Sequence, residues 1–259
     1  HQGRYWKPWF HRHARSVRHG HEERMPMRDY LMRHDKSLCM TLETVLPEAN
    51  NVLFRYALGR LVPPKVTFLK SLRDAHAREV SVRTQIYQDL AFPAAKFEEM
   101  LGFVHDTTGI YPLLLYSSLV VDRGGMLRVP SGVEELPTGF GSAVHGHACR
   151  KTHFMNLGVY GVPVGIRQSQ HRHHDAPGRP KFKTLHAVRA LEAKVRELGG
   201  FQHTYCDSTQ TREDLEQMFD FELWRRMRTE YGASGFPHVH DKVKPEVDVQ
   251  GWLREEAAW

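Results

Sequence analysis

Cysteine is scarce in this sequence: Cys39, Cys149 and Cys206 are the three in 259 residues, odd in number and far apart. No Cys-x-x-Cys pair occurs and no disulfide framework can be drawn, which points to a reducing compartment. Long apolar runs are missing too. The longest, Ile110 to Val121, is interrupted by Pro112 and is too short for a bilayer, so it reads as a buried strand. The N-terminus has no apolar stretch of the kind a signal peptide needs. It also has no initiator Met, and the expectation is a fragment or a processed chain. Finally, no phosphate-cradling glycine loop, no Gly-x-Gly-x-x-Gly after a strand and no nucleophile elbow occur. The glycines of Gly158-Val159-Tyr160-Gly161 end a strand instead of opening a helix, so the chain offers no dinucleotide or flavin site of its own.

What is present is enough apolar material, 41% of residues, for a sizeable core, and a formal net charge of +6. That charge favours anionic partners. Much of it lies in the run His11 to His21, preceded by the aromatic cluster Tyr5, Trp6, Trp9 and Phe10. No nucleic-acid partner is expected, because no recognition module or stacking platform accompanies the charge. An acidic membrane surface or a phosphorylated cofactor accounts for it as well, and a solvated charge run is the default. The eighteen histidines raise a metal hypothesis that their spacing does not support. His171, His173 and His174 sit among arginine and loop residues, and no metal site is expected. His153 and His203 differ in falling within predicted strands.

Hydrophobic spacing orders the chain. A helix is expected from Arg28 to Leu46, ended by Pro47, and another from Val52 to Leu61 before Pro63-Pro64. Val80 to Phe92 reads as a strand, Pro93 to His105 as a helix, and Ile110 to Val121 and Thr152 to Tyr160 as strands. Lys183 to Leu198 reads as a helix closed by Gly199-Gly200, and Phe201 to Cys206 as the last strand. Strand, helix, strand, strand, helix, strand is the split β-α-β plan. The expected class is therefore α+β: a ferredoxin-like cap with an antiparallel sheet, helices on one face, the other face free, and flanking N- and C-terminal helices. Thr211 opens a capping pattern into a helix near Arg212 to Phe219, followed by one near Glu222 to Tyr231. The corresponding domains are 1–79, an N-terminal helical segment, 80–210, the cap, and 211–259, C-terminal helices and tail. Val133 to Arg150 and Gln168 to Pro180 read as surface insertions.

Several ordered motifs carry a family resemblance. Trp6-Lys7-Pro8-Trp9-Phe10, Pro26-Met27-Arg28-Asp29-Tyr30, Phe54-Arg55-Tyr56 and Val62-Pro63-Pro64-Lys65 are followed by Gly158-Val159-Tyr160-Gly161, Gly200-Phe201-Gln202 with Tyr205 and Asp207, and Met218-Phe219-Asp220. Together they resemble the Delta24-sterol reductase family of FAD-dependent oxidoreductases of the vanillyl-alcohol-oxidase type. The resemblance implies that an N-terminal FAD-binding domain is absent from this chain, which would be the substrate-side cap. It implies NADPH as reductant, a sterol side-chain double bond as substrate, and residence at the endoplasmic reticulum membrane through an anchor outside this chain. Without the resemblance the location reads as cytoplasmic. The stretch Asp35 to Thr41 departs from the family in lacking aromatic residues.

By that resemblance Tyr205 is the first candidate proton donor and Tyr160 the second, since a phenol can donate while its ring packs on an apolar substrate. Sheet packing is the plain alternative for both. Lys65 and Arg55 are candidates for contact with the flavin or its phosphates, and His34, Asn51 and His203 for contact with substrate. For Asn50 and Asn51 the favoured reading is a structural one, as caps of the following helix. Two other functions stay open: a flavin enzyme of the same superfamily acting on a non-sterol substrate, and a non-catalytic interaction protein without a flavin domain. The oligomeric state is not legible.

Overall fold

The computed structural model describes residues 16–31, 51–58, 75–136, 149–171, 182–205, 208–244 and 247–258. The chain divides into two units, His1–Arg78 and Glu79–Trp259. Within the first, the described helices are α1 (Met27–Leu31) and α2 (Val52–Leu58). Asn51 caps α2, its Oδ1 accepting from the amide of Leu53 at 2.8 Å, which satisfies one of the amides a helix start leaves open. The remainder of the expected helix to Leu46 lies outside the described residues.

Helix α3 (Ala75–Thr84) leads into a second unit built on four strands, β1 (Ile86–Pro93), β2 (Leu114–Val121), β3 (Lys151–Gly161) and β4 (Phe201–Gln202). Their order across the sheet is β2-β3-β1-β4 and every pairing is antiparallel. Helix α4 (Phe97–Thr108) links β1 to β2, while α5 (Val164–His171) and α6 (Thr184–Glu197) link β3 to β4. This is the split β-α-β arrangement expected from the sequence, in which each helix crosses over an intervening strand. Four more helices follow: α7 (Arg212–Met218), α8 (Glu222–Glu230), α9 (Val239–Val243) and α10 (Val249–Ala257).

Several boundaries differ from expectation. The strand expected from Ile110 starts at Leu114 and is largely exposed, because it lies at the sheet edge, and the helix expected from Pro93 to His105 runs from Phe97 to Thr108. Val80 and Val82 belong to α3, not to the first strand, because the alternation that marks β1 starts only at Ile86. The last strand is two residues long instead of running to Cys206, so His203 follows it and Tyr205 lies in a turn. The ladder fades after one more bond, from the His203 amide to the Asp89 carbonyl at 2.9 Å.

The alternation of β1 and β3 divides the sheet into two faces. One face presents Ile86, Leu90, Phe92, Leu157 and Val159 to Met100 and Val104 of α4 and to Val188, Leu191 and Val195 of α6, forming the main core. Each of these fully buried side chains contributes roughly 1.5–3 kcal/mol by leaving water. The other face is half covered. Ala91, Phe154 and Val120 pack there against Val129, whose segment is tied down by Thr152 Oγ1 donating to the Glu134 carbonyl at 2.7 Å and by Arg150 donating to the Val129 carbonyl at 3.0 Å.

A third cluster joins Val82, Leu185, Val249 and Leu253, seating α10 against α3 and α6. Lys183 provides no side-chain cap for α6. Glu256 of α10 does so instead: its buried carboxylate accepts from the amide of Leu185 at 3.0 Å and meets His186 Nδ1 at 3.1 Å. A negative group at a helix N-terminus is favoured by both the open amides and the dipole. Among the described residues no helix is long and apolar enough to cross a membrane.

Candidate functional site

The uncovered half of the second sheet face gathers a group of polar and aromatic side chains. Paired positions in antiparallel strands point the same way, so the registers Tyr87↔Tyr160, Asp89↔Gly158↔Leu114 and Ala91↔Asn156↔Tyr116 place these side chains on one surface. Phe201 joins them opposite Ala91, and His203 follows two residues on.

Asp89 is the centre of the group. It is wholly buried, and its Oδ2 accepts a hydrogen bond from the Tyr160 hydroxyl, while its Oδ1 has no partner among the described residues. The Tyr160 hydroxyl also lies 3.5 Å from that of Tyr205, which is 71% exposed. Gly158 makes this geometry possible. A Cβ there would come within 2.6 Å of the Tyr160 ring and 2.9 Å of Asp89 Oδ1. With hydrogen in its place, the ring of Tyr160 leans along β3 over Gly158 and its hydroxyl reaches across to β1.

A second polar line runs beside the first. Asn156 Nδ2 donates to Ser118 Oγ at 2.8 Å and, more distantly, to the Tyr116 carbonyl at 3.4 Å. A backbone carbonyl only accepts, which fixes the amide orientation and leaves Asn156 Oδ1 to accept from His203 Nε2 at 3.1 Å. Ala91 between the two strands is small enough for His203 to reach over it. The imidazole in turn meets the ring of Tyr205, centroids 5.9 Å apart, and the edge of Phe201 at 5.5 Å. Phe201 continues the aromatic row to Phe154 and Phe219.

Tyr87 closes one end of the group, its ring 6.4 Å from that of Tyr160. Its hydroxyl bonds to Gln85 Oε1, and burial pushes its pKa up. Half-exposed Leu114 and Tyr116 add apolar surface on the β2 side. The arrangement can therefore accept a flat or elongated apolar molecule and present hydroxyl groups to it.

A buried polar layer lies on the opposite side of the sheet. Glu192 of α6 accepts from the Thr209 amide at 3.0 Å, from the Thr209 hydroxyl and from Ser208 Oγ at 2.8 Å. Gln202 donates to Gln88 Oε1 and accepts from Gln210 Nε2 at 2.6 Å. These bonds fix residues 208–210 just beyond the turn. Burial pushes the Glu192 carboxyl up to about 7, against the opposing effect of its hydroxyl and amide donors and Arg196.

The structure thus brings Tyr160, Tyr205 and His203 together. Asn51 is an exposed helix cap and Arg55 lies within α2, in the other unit. His34 and Lys65 lie outside the described residues, as do Cys39, Cys206 and Asp207. Asp89, Asn156 and Ser118 were not picked out from the sequence. An acidic residue inside the otherwise apolar strand from Ile86 to Phe92 was the available signal for Asp89. Among the described residues no group of three His, Cys, Asp or Glu could hold a metal ion.

No family model and no solved structure matches the chain. Its resemblance to known proteins is carried by whole sequences. It is 30% identical over 246 residues to a Delta(24)-sterol reductase homolog of Caenorhabditis elegans, covering 93% of this chain and 41% of that protein. It is 28% identical over 245 residues to the Delta(24)-sterol reductase of Homo sapiens, covering 93% and 42%, and 28% identical over 258 residues to that of Arabidopsis thaliana, covering 98% and 43%.

The chain is homologous to the Delta(24)-sterol reductases.

The match covers nearly the whole of this chain. The chain spans about two fifths of the length of the curated relatives it matches.

Proposed function

We propose that this chain is the substrate-side part of an FAD-dependent, NADPH-using reductase that saturates a sterol side-chain double bond, the flavin being held chiefly by a domain outside it. The observation that carries this reading is the convergence of Tyr160, Tyr205 and His203 on one open sheet face in a chain homologous to Delta(24)-sterol reductases.

The face fits a ring system better than a phosphate. Its aromatic and aliphatic side chains suit a planar ring or a steroid skeleton, and buried Asp89 brings acceptor atoms, not the backbone donors a phosphate requires. Tyr160, Tyr205 and His203 would line the flavin ring together with the substrate. Bound there, reduced flavin would supply hydride to the double bond. What this chain adds is orientation, exclusion of water and one proton to the adjacent carbon. Leu114, Tyr116 and Phe201 provide the apolar wall and the tyrosines the hydroxyls. Membrane residence and Lys65 or Arg55 as cofactor contacts belong to the same proposal.

The test uses the full-length protein, assayed anaerobically with NADPH and a sterol bearing an unsaturated side chain. NADPH-dependent saturation is expected. Flavin binding without reduction of any sterol alkene would move the assignment to another substrate, and absence of both flavin and reduction would overturn it.

A further inference from the structure

Both tyrosines are candidates for the proton, and the hydrogen bonds on the open face distinguish them. A carboxylate only accepts, so the bond between Tyr160 and Asp89 Oδ2 uses the Tyr160 proton. The hydroxyl of Tyr160 then has only lone pairs to turn toward its other neighbour, the Tyr205 hydroxyl 3.5 Å away. Tyr205 is exposed, and among the described residues its hydroxyl makes only this long bond, in which its own proton is the one shared; so weakly held, that proton can turn to a ligand on the face. Asp89 cannot perform that role itself, being wholly buried beneath Tyr160.

We propose that Asp89 is a positioning residue: it locks the Tyr160 proton inward, so that Tyr160 orients Tyr205 and Tyr205 alone delivers the proton. Resting on the reductase reading above, the step is one of simple balance. As hydride reaches one alkene carbon, the Tyr205 O–H bond breaks and a C–H bond forms at the neighbouring carbon. The Tyr205 phenolate is then reprotonated by water, and the two electrons come from NADPH through the flavin.

Two features of the structure converge on Asp89, and a third on Tyr205. Asp89 is wholly buried with no cation beside it among the described residues, an arrangement that costs stability and that its one hydrogen bond offsets only in part. The residue opposite it is a glycine, without which Tyr160 could not lie as it does. Asn156, on the neighbouring row, bonds to His203, whose ring meets that of Tyr205. Tyr205 thus has a hydroxyl contact to Tyr160 and a ring contact to His203, both of which are themselves hydrogen-bonded to the sheet.

The experiment compares Tyr205→Phe, Tyr160→Phe, Asp89→Asn and Asp89→Leu in the full-length protein. NADPH reduction of the flavin and reoxidation by sterol alkene are followed separately, in light and heavy water. Tyr205→Phe should slow the alkene step by about 10²-fold or more, the range general acids contribute, with flavin reduction unchanged. Tyr160→Phe and Asp89→Leu should each slow it less, about tenfold, raise its solvent isotope effect and fail to add when combined. Asp89→Asn keeps an oxygen acceptor and should retain most of the rate.

A purely structural role would lower the amount of flavin-loaded enzyme and leave the isotope effect per active site unchanged, which would overturn the proposal. So would a Tyr160→Phe defect as large as that of Tyr205→Phe. Wild-type enzyme active on sterol with Asp89→Leu behaving identically would reject the role of Asp89 alone. Wild-type enzyme inactive on every alkene would reject the functional reading, and this role with it. If Asp89→Leu fails to fold, Tyr160→Phe and Asp89→Asn decide by the same criteria.

Discussion

The α-carbon of Gly200 lies directly against the carbonyl oxygen of Ala91: a Cβ at that position would be 2.2 Å from it and 2.9 Å from the Cβ of Phe92. The contact is where the chain leaves α6 and enters β4. The Gly200 amide bonds back to the Val195 carbonyl at 2.8 Å, and Gly199 takes a positive φ of 73° as the helix ends. The pair of glycines therefore both ends the helix and lets β4 approach β1. Because the clashing atom is backbone, Gly200→Ala cannot be relieved by a side-chain movement. It should destabilise the protein by about 1–3 kcal/mol or more, visible as a lowered melting temperature, whereas a surface Gly→Ala such as Gly102→Ala in α4, where nothing lies within 4 Å, should be neutral or stabilising.

Glu192 sets a pH dependence. Its carboxyl is raised from 4.5 to about 7, chiefly by burial. Below pH 4.5 it is protonated in both folded and unfolded chains and its ionisation has no effect on stability. Between 4.5 and about 7 the unfolded chain loses the proton while the folded chain retains it, so the native state becomes less stable as pH rises, by about 3 kcal/mol in all. Above 7 the effect is constant. Glu192→Gln should abolish this component: its stability relative to wild type should improve across that window when both are followed by denaturant unfolding at several pH values. A parallel pH profile for the two proteins would rule the effect out.

Thr211 closes the other end of the same segment. Its hydroxyl accepts from the Asp214 amide at 3.2 Å and its own amide donates to Asp214 Oδ2 at 3.0 Å, a reciprocal cap for α7. Thr211→Ala should cost about 1 kcal/mol. Since the lost bonds lie outside the open face, the melting temperature should fall while sterol-dependent flavin reoxidation in the full-length protein is retained.

Much of this fold was legible because it is written in periodicity. The stripe from Leu185 to Leu198 and the alternation of β3 follow from burying one side of a helix or strand, and the Thr211 cap from a local pattern of four residues. Val80 and Val82 misled because a β-branched residue every second position suits a strand, while here both belong to a helix whose apolar contact is made with α10, a partner distant in sequence. The site was half legible. Tyr160, Tyr205 and His203 stood out as motif residues or strand histidines, but Asp89 and Asn156 acquire meaning only through register, which places Asp89 opposite Gly158 and Asn156 opposite Tyr116. No local pattern encodes which strand will lie beside which. The same limit hid Glu256, which caps a helix that begins at Thr184.

Register also gives the sharpest test of the site. Gly158 faces Asp89 on one side and Leu114 on the other, and a Cβ there would stand 2.6 Å from Tyr160 Cε2, 2.9 Å from Asp89 Oδ1 and 3.0 Å from Leu114 Cβ. Of these three, the Tyr160 ring has the freedom to move, since it is only partly buried and lies on the open face. Gly158→Ala should therefore swing Tyr160 away and break its bond to Asp89, leaving the sheet paired. Acting through Tyr160 alone, Gly158→Ala should cost about what Tyr160→Phe costs, about tenfold. In the full-length protein, flavin content and NADPH oxidation should persist while the alkene step falls by about that factor, and adding Tyr160→Phe should produce little further loss. If Gly158→Ala and Tyr160→Phe instead multiply, the glycine acts on the site by a route other than the tyrosine that lies over it.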